Sequence, residues 1–108
     1  MMSVAPKYDV FQAIADPTRR KLLQILSKKE MPIAEISKYF PMSRTAISKH
    51  LFILSEAHLV KAEKKGREKR FTLHVEPLME LTDWLSYFDQ FWDNKLDKLK
   101  YLVEKKED

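Results

Sequence analysis

Phe40-Pro41-Met42-Ser43-Arg44-Thr45-Ala46-Ile47-Ser48-Lys49-His50-Leu51 decides the fold of this 108-residue chain. Pro41 stops the helix before it, because proline lacks a backbone N–H and its ring clashes with the turn behind. Ser43 offers a side-chain oxygen to the unpaired N–H groups of a new helix start. Ile47, Leu51 and Leu54 then recur at i, i+4 and i+7, with Ala57 one turn later, which predicts a helix over about 43–57 with one buried stripe.

Upstream, Pro32 opens a short helix whose Ile33, Ile36 and Phe40 form an i, i+3, i+7 stripe ending at Pro41. Two short helices joined through Phe40-Pro41-Met42 have the connection length of a DNA-binding helix-turn-helix. Asp16-Pro17 supplies an N-cap and a first-turn proline for another helix, expected over 17–28 with Leu22, Leu23, Ile25 and Leu26 inward. Val10, Phe11, Ile14 and Ala15 place a further helix before it.

Downstream the period changes to 2. Val60 and Ala62 alternate with Lys61 and Glu63, and Phe71, Leu73 and Val75 alternate with Thr72 and His74. Between these strands Lys64-Lys65-Gly66-Arg67-Glu68-Lys69-Arg70 reads as a basic hairpin tip, with the only glycine of the chain where a turn needs positive φ. Pro77 then opens a predicted long helix, 77–104, with Leu78, Leu81, Leu85, Phe88, Trp92, Leu96, Leu99 and Leu102 at 3-and-4 spacing, widened by Trp84, Tyr87 and Phe91. The expected fold is mainly α with a small β-hairpin wing, in the order α-α-α-α-β-β-α: a winged helix-turn-helix. Residues 1–108 form one domain, with 77–104 as a dimerisation helix.

Charge is segregated along this order. Residues 1–42 hold 7 basic and 4 acidic side chains, 43–75 hold 8 and 3, and 76–108 hold 5 and 9. A basic middle and an acidic end suit a chain with one face for phosphates and another for something else. The lack of cysteine removes disulfides, thiolate metal sites and thiol switches, and fits a reducing interior. No stretch has the length and apolarity of a membrane span or the pattern of a signal peptide, so a cytoplasmic protein is expected. His50, His58 and His74 lack the spacing of metal ligands, and no nucleophile, acid–base pair or glycine-rich phosphate loop is present. We therefore expect no enzyme activity, no cofactor and no metal.

The expected partner is double-stranded DNA. The major groove admits one α-helix, read by side chains near its start. Those are Ser43, Arg44, Thr45, Ser48 and Lys49. Arg44 suits a bidentate bond to guanine and Thr45 a methyl contact to thymine. Lys64, Lys65, Arg67, Lys69 and Arg70 of the wing suit phosphates or the adjacent minor groove. Taken singly, a basic turn is more often just solvated and a serine-rich helix start just a cap; order and spacing together favour DNA. The aromatic terminal helix carries more apolar surface than one side of so small a domain buries. Phe11, Leu81, Trp84, Leu85, Phe88, Phe91, Trp92 and Leu99 are accordingly expected at a homodimer interface, on an inverted-repeat operator. The region of Trp84, Phe88, Phe91 and Trp92 also leaves room for a small apolar inducer of unidentified chemistry. The alternative is a winged helix that binds protein instead of DNA, for which a wing so rich in cations has little use.

Ala15-Asp16-Pro17-Thr18-Arg19-Arg20, the run Ser43 to Leu51, and Leu59-Val60 resemble the ArsR family of bacterial repressors over nearly the whole chain. The aromatic run Trp84-Leu85, Tyr87 and Phe91-Trp92 is similar to a metal-free branch of it. The resemblance implies a homodimeric repressor near its own promoter, with Arg44, Thr45, Ser48, Lys49 and His50 toward DNA. Metal-sensing members carry cysteine pairs on the helix after Ile33, or Asp and His ligands on the last helix; neither helix here has Cys or His. Two further departures are His58, where glycine commonly ends the recognition helix, and Phe52, where a charged residue is usual.

Overall fold

The computed structural model describes residues 8–92 and 95–107. Helix α1 (Val10–Ala13) opens on a capping box between Asp9 and Gln12, whose side chains each accept from the other's backbone N–H. Helix α2 (Pro17–Leu26) follows with Asp16 as N-cap and proline in its first turn. A two-residue strand, β1 (Met31–Pro32), leads into α3 (Ile33–Ile36), and a single 3₁₀ turn at 37–39 carries the chain to the break at Phe40. Helix α4 (Arg44–Glu56) is the predicted recognition helix, with the Ser43 side chain accepting from the Ala46 N–H at 3.2 Å.

Strands β2 (Val60–Lys65) and β3 (Glu68–Leu73) form an antiparallel hairpin, and β1 pairs with the outer side of β3, giving the order β1-β3-β2. The third strand carries no signal in the sequence: it is two residues long, contains a proline, and exists because Met31 is buried opposite Phe71. The core joins α1, α2, α3, α4 and the sheet through Leu22, Met31, Ile36, Ile47, Leu51, Leu54 and Leu59, all fully buried.

Two expectations need correction. The basic tip is shorter than predicted: the strands run to Lys65 and from Glu68, leaving only Gly66-Arg67 as the turn. Gly66 has φ +64° and Arg67 does not share the positive φ, the pattern of a type II′ hairpin turn. The terminal helix is also not continuous. After a 3₁₀ turn at 76–78 come α5 (Met79–Ser86), a second 3₁₀ stretch at 87–91, and α6 (Lys95–Glu107). The segment 86–92 is rich in Tyr, Phe, Trp, Asp and Ser, all weaker helix formers than Ala or Leu, and the Ser86 hydroxyl bonds back to the Asp83 carbonyl. Positions 93 and 94 of the predicted helix, and the side chain of Leu96, lie outside the described residues.

Candidate nucleic-acid interface

Helix α4 buries Ile47, Leu51 and Leu54 and turns the opposite face outward. Ser43, Arg44, Thr45, Ser48 and Lys49 are all exposed there. Ser43 spends an oxygen lone pair on the cap but keeps its O–H to donate.

His50 is placed differently from the expectation. It is half-buried on the side of α4 facing α2, with Nδ1 3.3 Å from the Arg19 guanidinium. Arginine only donates, so Nδ1 is the acceptor in that contact, and the Asp16 carboxylate lies 3.9 Å from the same nitrogen. The reason lies in helical phase: His50 follows Ile47 by three positions and so turns toward the core-facing side. Arg19 is the centre of this joint. Its Nε donates to the Ala13 carbonyl at 2.6 Å and its other amino group to the Gln12 carbonyl at 3.1 Å, while Arg20 donates to the Ile14 carbonyl at 2.7 Å. Two arginines thus satisfy the Ala13 and Ile14 carbonyls at the end of α1, and Arg19 shares the Gln12 carbonyl with the Ala15 N–H. Lys21 holds the other end of the motif, donating to the Tyr39 carbonyl at 2.9 Å with its ammonium 4.9 Å from the Phe40 ring centre.

The recognition helix ends in a Schellman motif: Leu59 N–H bonds the Leu54 carbonyl at 2.9 Å and His58 N–H the Ser55 carbonyl at 3.0 Å. His58 occupies the left-handed position at φ 62°, as the departure from glycine implied. His74 then ties the sheet to this corner, its N–H donating to the Leu59 carbonyl at 2.8 Å and its Nδ1 to the His58 carbonyl at 3.1 Å.

In the wing, alternation sorts the cations onto two faces. Lys64 stands directly opposite Lys69 and shares the side of Ala62 and Phe71, which faces α4. Lys65 stands opposite Glu68, and Glu63 opposite Arg70, on the other side. There Lys65 donates to both Glu30 oxygens at 2.8 and 2.9 Å, and Arg70 bonds Glu68 at 2.8 Å with its Nε 3.4 Å from Glu30. The Lys65 ammonium holds the Glu30 carboxyl below its ordinary 4.5, so Glu30 is ionised at neutral pH. Five wing cations were expected to meet DNA; the structure commits Lys65 and Arg70 to carboxylates. Lys64, Arg67 and Lys69 make no ion pair among the described residues, and like charges directly opposite repel.

At the other end, Phe11 of α1 meets Trp84 of α5 edge to face at 5.7 Å, and Trp84 meets Phe88 at 5.0 Å. Phe11 and Leu81 pack partly into the chain's own core. Trp84, Leu85, Phe91 and Leu99 remain more than half exposed. Among the described residues no group of His, Cys, Asp and Glu is placed to hold a metal ion, and no helix is long and apolar enough to cross a membrane.

The family model for bacterial regulatory proteins of the arsR family matches residues 16–62, from the α2 cap into β2. The transcriptional repressor SdpR of Bacillus subtilis (strain 168) is 36% identical over 88 residues, which are 82% of this chain and 98% of that protein. The chain belongs to the ArsR family. The HTH-type transcriptional regulator Rv2034 of Mycobacterium tuberculosis (strain ATCC 25618 / H37Rv) is a further relative, 32% identical over 91% of this chain and 89% of its own. A crystal structure of an ArsR family transcriptional regulator superposes with a TM-score of 0.71 at 30% identity, covering 86% of this chain and 98% of that one. The winged helix-turn-helix is thus an ArsR fold, and the protein is a DNA-binding transcriptional regulator, a non-enzymatic class.

Sequence reasoning missed Arg19 and Glu30. An Asp-Pro break followed by two arginines is a legible signal for the first, since a helix has just ended and its carbonyls need donors. Glu30 has no local signal; its partners lie 35 and 40 positions away.

Proposed function

We propose that two copies of this ArsR-family chain pair through α5 and α6 and repress transcription from an inverted-repeat operator. The carrying observation is the exposed face of Trp84, Leu85, Tyr87, Phe91 and Leu99, the last two 71% and 56% accessible in one chain. Tyr87 is as open as Phe91. Single soluble domains seldom leave so many large apolar groups together in water. A two-fold pair covers them and sets two α4 helices about 34–36 Å apart, one turn of DNA. Each α4 enters a major groove with Ser43, Arg44, Thr45, Ser48 and Lys49 toward the bases, and Lys64, Arg67 and Lys69 follow the backbone. A cleft of about 320 Å³ lined by Trp84, Leu85, Phe88, Asp89, Trp92 and Lys98 opens on the same apolar face. A small apolar inducer bound there would compete with pairing. Sedimentation of the full chain tests the pairing: a dimer at micromolar concentration is expected, with Leu85→Glu/Phe91→Glu monomeric and unable to hold its promoter DNA. A monomeric wild type would contradict it.

A further inference from the structure

Phe52 lies on α4 one turn beyond Ser48 and two beyond Thr45, and is 59% exposed. Thr45, Ser48, Lys49 and Phe52 fall at i, i+3, i+4 and i+7, so the aromatic ring continues the row of polar side chains assigned to base edges. It separates two clefts. One, of about 440 Å³, is bordered by Thr45, Ser48, Lys49 and Phe52, with Tyr8 at its edge. The other, of about 380 Å³, runs between α4 and the wing past Ser48, Phe52, Ser55 and Lys69. Each cleft thus has an apolar floor at Phe52 and a lysine at its rim.

Packing within the chain does not account for the ring, because the core is closed beneath it by Leu51 and Leu54. A partner apolar at one point and anionic on both sides does. DNA has that chemistry where a thymine projects its 5-methyl group into the major groove between two phosphate backbones. We propose that Phe52 is a specificity-determining residue that selects thymine at one position of each half-site by covering its 5-methyl group, with Lys49 beside the ring toward the bases and Lys69 on a flanking phosphate. The inference rests on the DNA-binding reading of α4.

The test begins with the duplex that the full-length protein enriches from a randomised library. That duplex is resynthesised with deoxyuridine replacing each thymine in turn, which removes one methyl and leaves every hydrogen-bonding group in place. One thymine per half-site is expected to lose about fourfold in affinity on replacement, the worth of one buried methyl group. Phe52→Ala should bind the thymine and uracil forms of that position equally, and Phe52→Leu should restore part of the preference. Because the ring is exposed, both variants should keep the wild-type melting temperature. A duplex bound tightly and selectively, with no thymine at which Phe52→Ala abolishes the thymine-to-uracil difference, overturns the role of Phe52 and leaves the regulator reading standing. Failure to enrich any duplex overturns both.

Discussion

Lys64 and Lys65 are neighbours in the chain with the same charge, and the structure predicts opposite consequences for removing them. Lys64 faces α4 and opposes Lys69, whereas Lys65 faces away and is held by both oxygens of Glu30. Each phosphate contact releases counterions and adds about 0.9 to the slope of log affinity against log salt. Lys64→Ala should therefore lower that slope by about 0.9 per bound chain, or about 1.8 for a pair of chains. Over a fourfold range of salt, about 50 to 200 mM, this is roughly 3.5-fold in relative affinity per chain and about 12-fold per pair. Lys65→Ala should leave the slope nearly unchanged, although it alters net charge equally. Both sites are exposed, so the cost in stability stays within about 1 kcal/mol and neither variant should unfold. Fluorescence anisotropy with a labelled promoter duplex, titrated at several salt concentrations, reads the slopes directly. Equal slopes for the two variants would refute the assignment of wing faces.

His58→Gly should stabilise the protein by about 1 kcal/mol, since the left-handed conformation is costly for histidine and free for glycine while both Schellman bonds remain; urea denaturation at fixed protein concentration should show a higher midpoint and an unchanged m value, and His58→Ala should show no gain. Arg44→Ala should cost about 1–3 kcal/mol in binding and relax the sequence preference at one base position, as read by competition with single-base operator variants. Arg19→Ala should destabilise the fold by about 1–3 kcal/mol by leaving the Ala13 carbonyl without its donor, yet leave the base preference intact, as read by thermal melting beside competition with single-base operator variants.

The helix-turn-helix was legible because its signals are local. Ser43 caps, Pro41 stops and the Ile47-Leu51-Leu54 stripe leave little freedom for 40–57, and the alternation after Leu59 allows only a hairpin. The chemistry of the wing was only partly legible. Composition counts five cations, but their division between two faces depends on where the turn falls, and a two-residue turn at Gly66-Arg67 put Lys65 and Arg70 against Glu30. His50 illustrates the same limit: its place in the run expected to face DNA is visible, while its bond to Arg19, 31 positions earlier, is not. The terminal stripe predicted an apolar face correctly and a continuous helix wrongly, because periodicity records which side is apolar and not whether aromatic residues and a bonding serine hold the turn.

On the proposed function, paired chains bind one operator through α4 and the wing. This is tested most directly by titrating the purified protein against DNA from its own promoter and against a scrambled duplex, at two salt concentrations, with stoichiometry taken at saturation. Two chains per promoter site, salt-sensitive binding, and a preference over the scrambled duplex of about a thousandfold or more are expected. Equal, weak binding to both duplexes, or saturation at one chain per site, would contradict the proposed function.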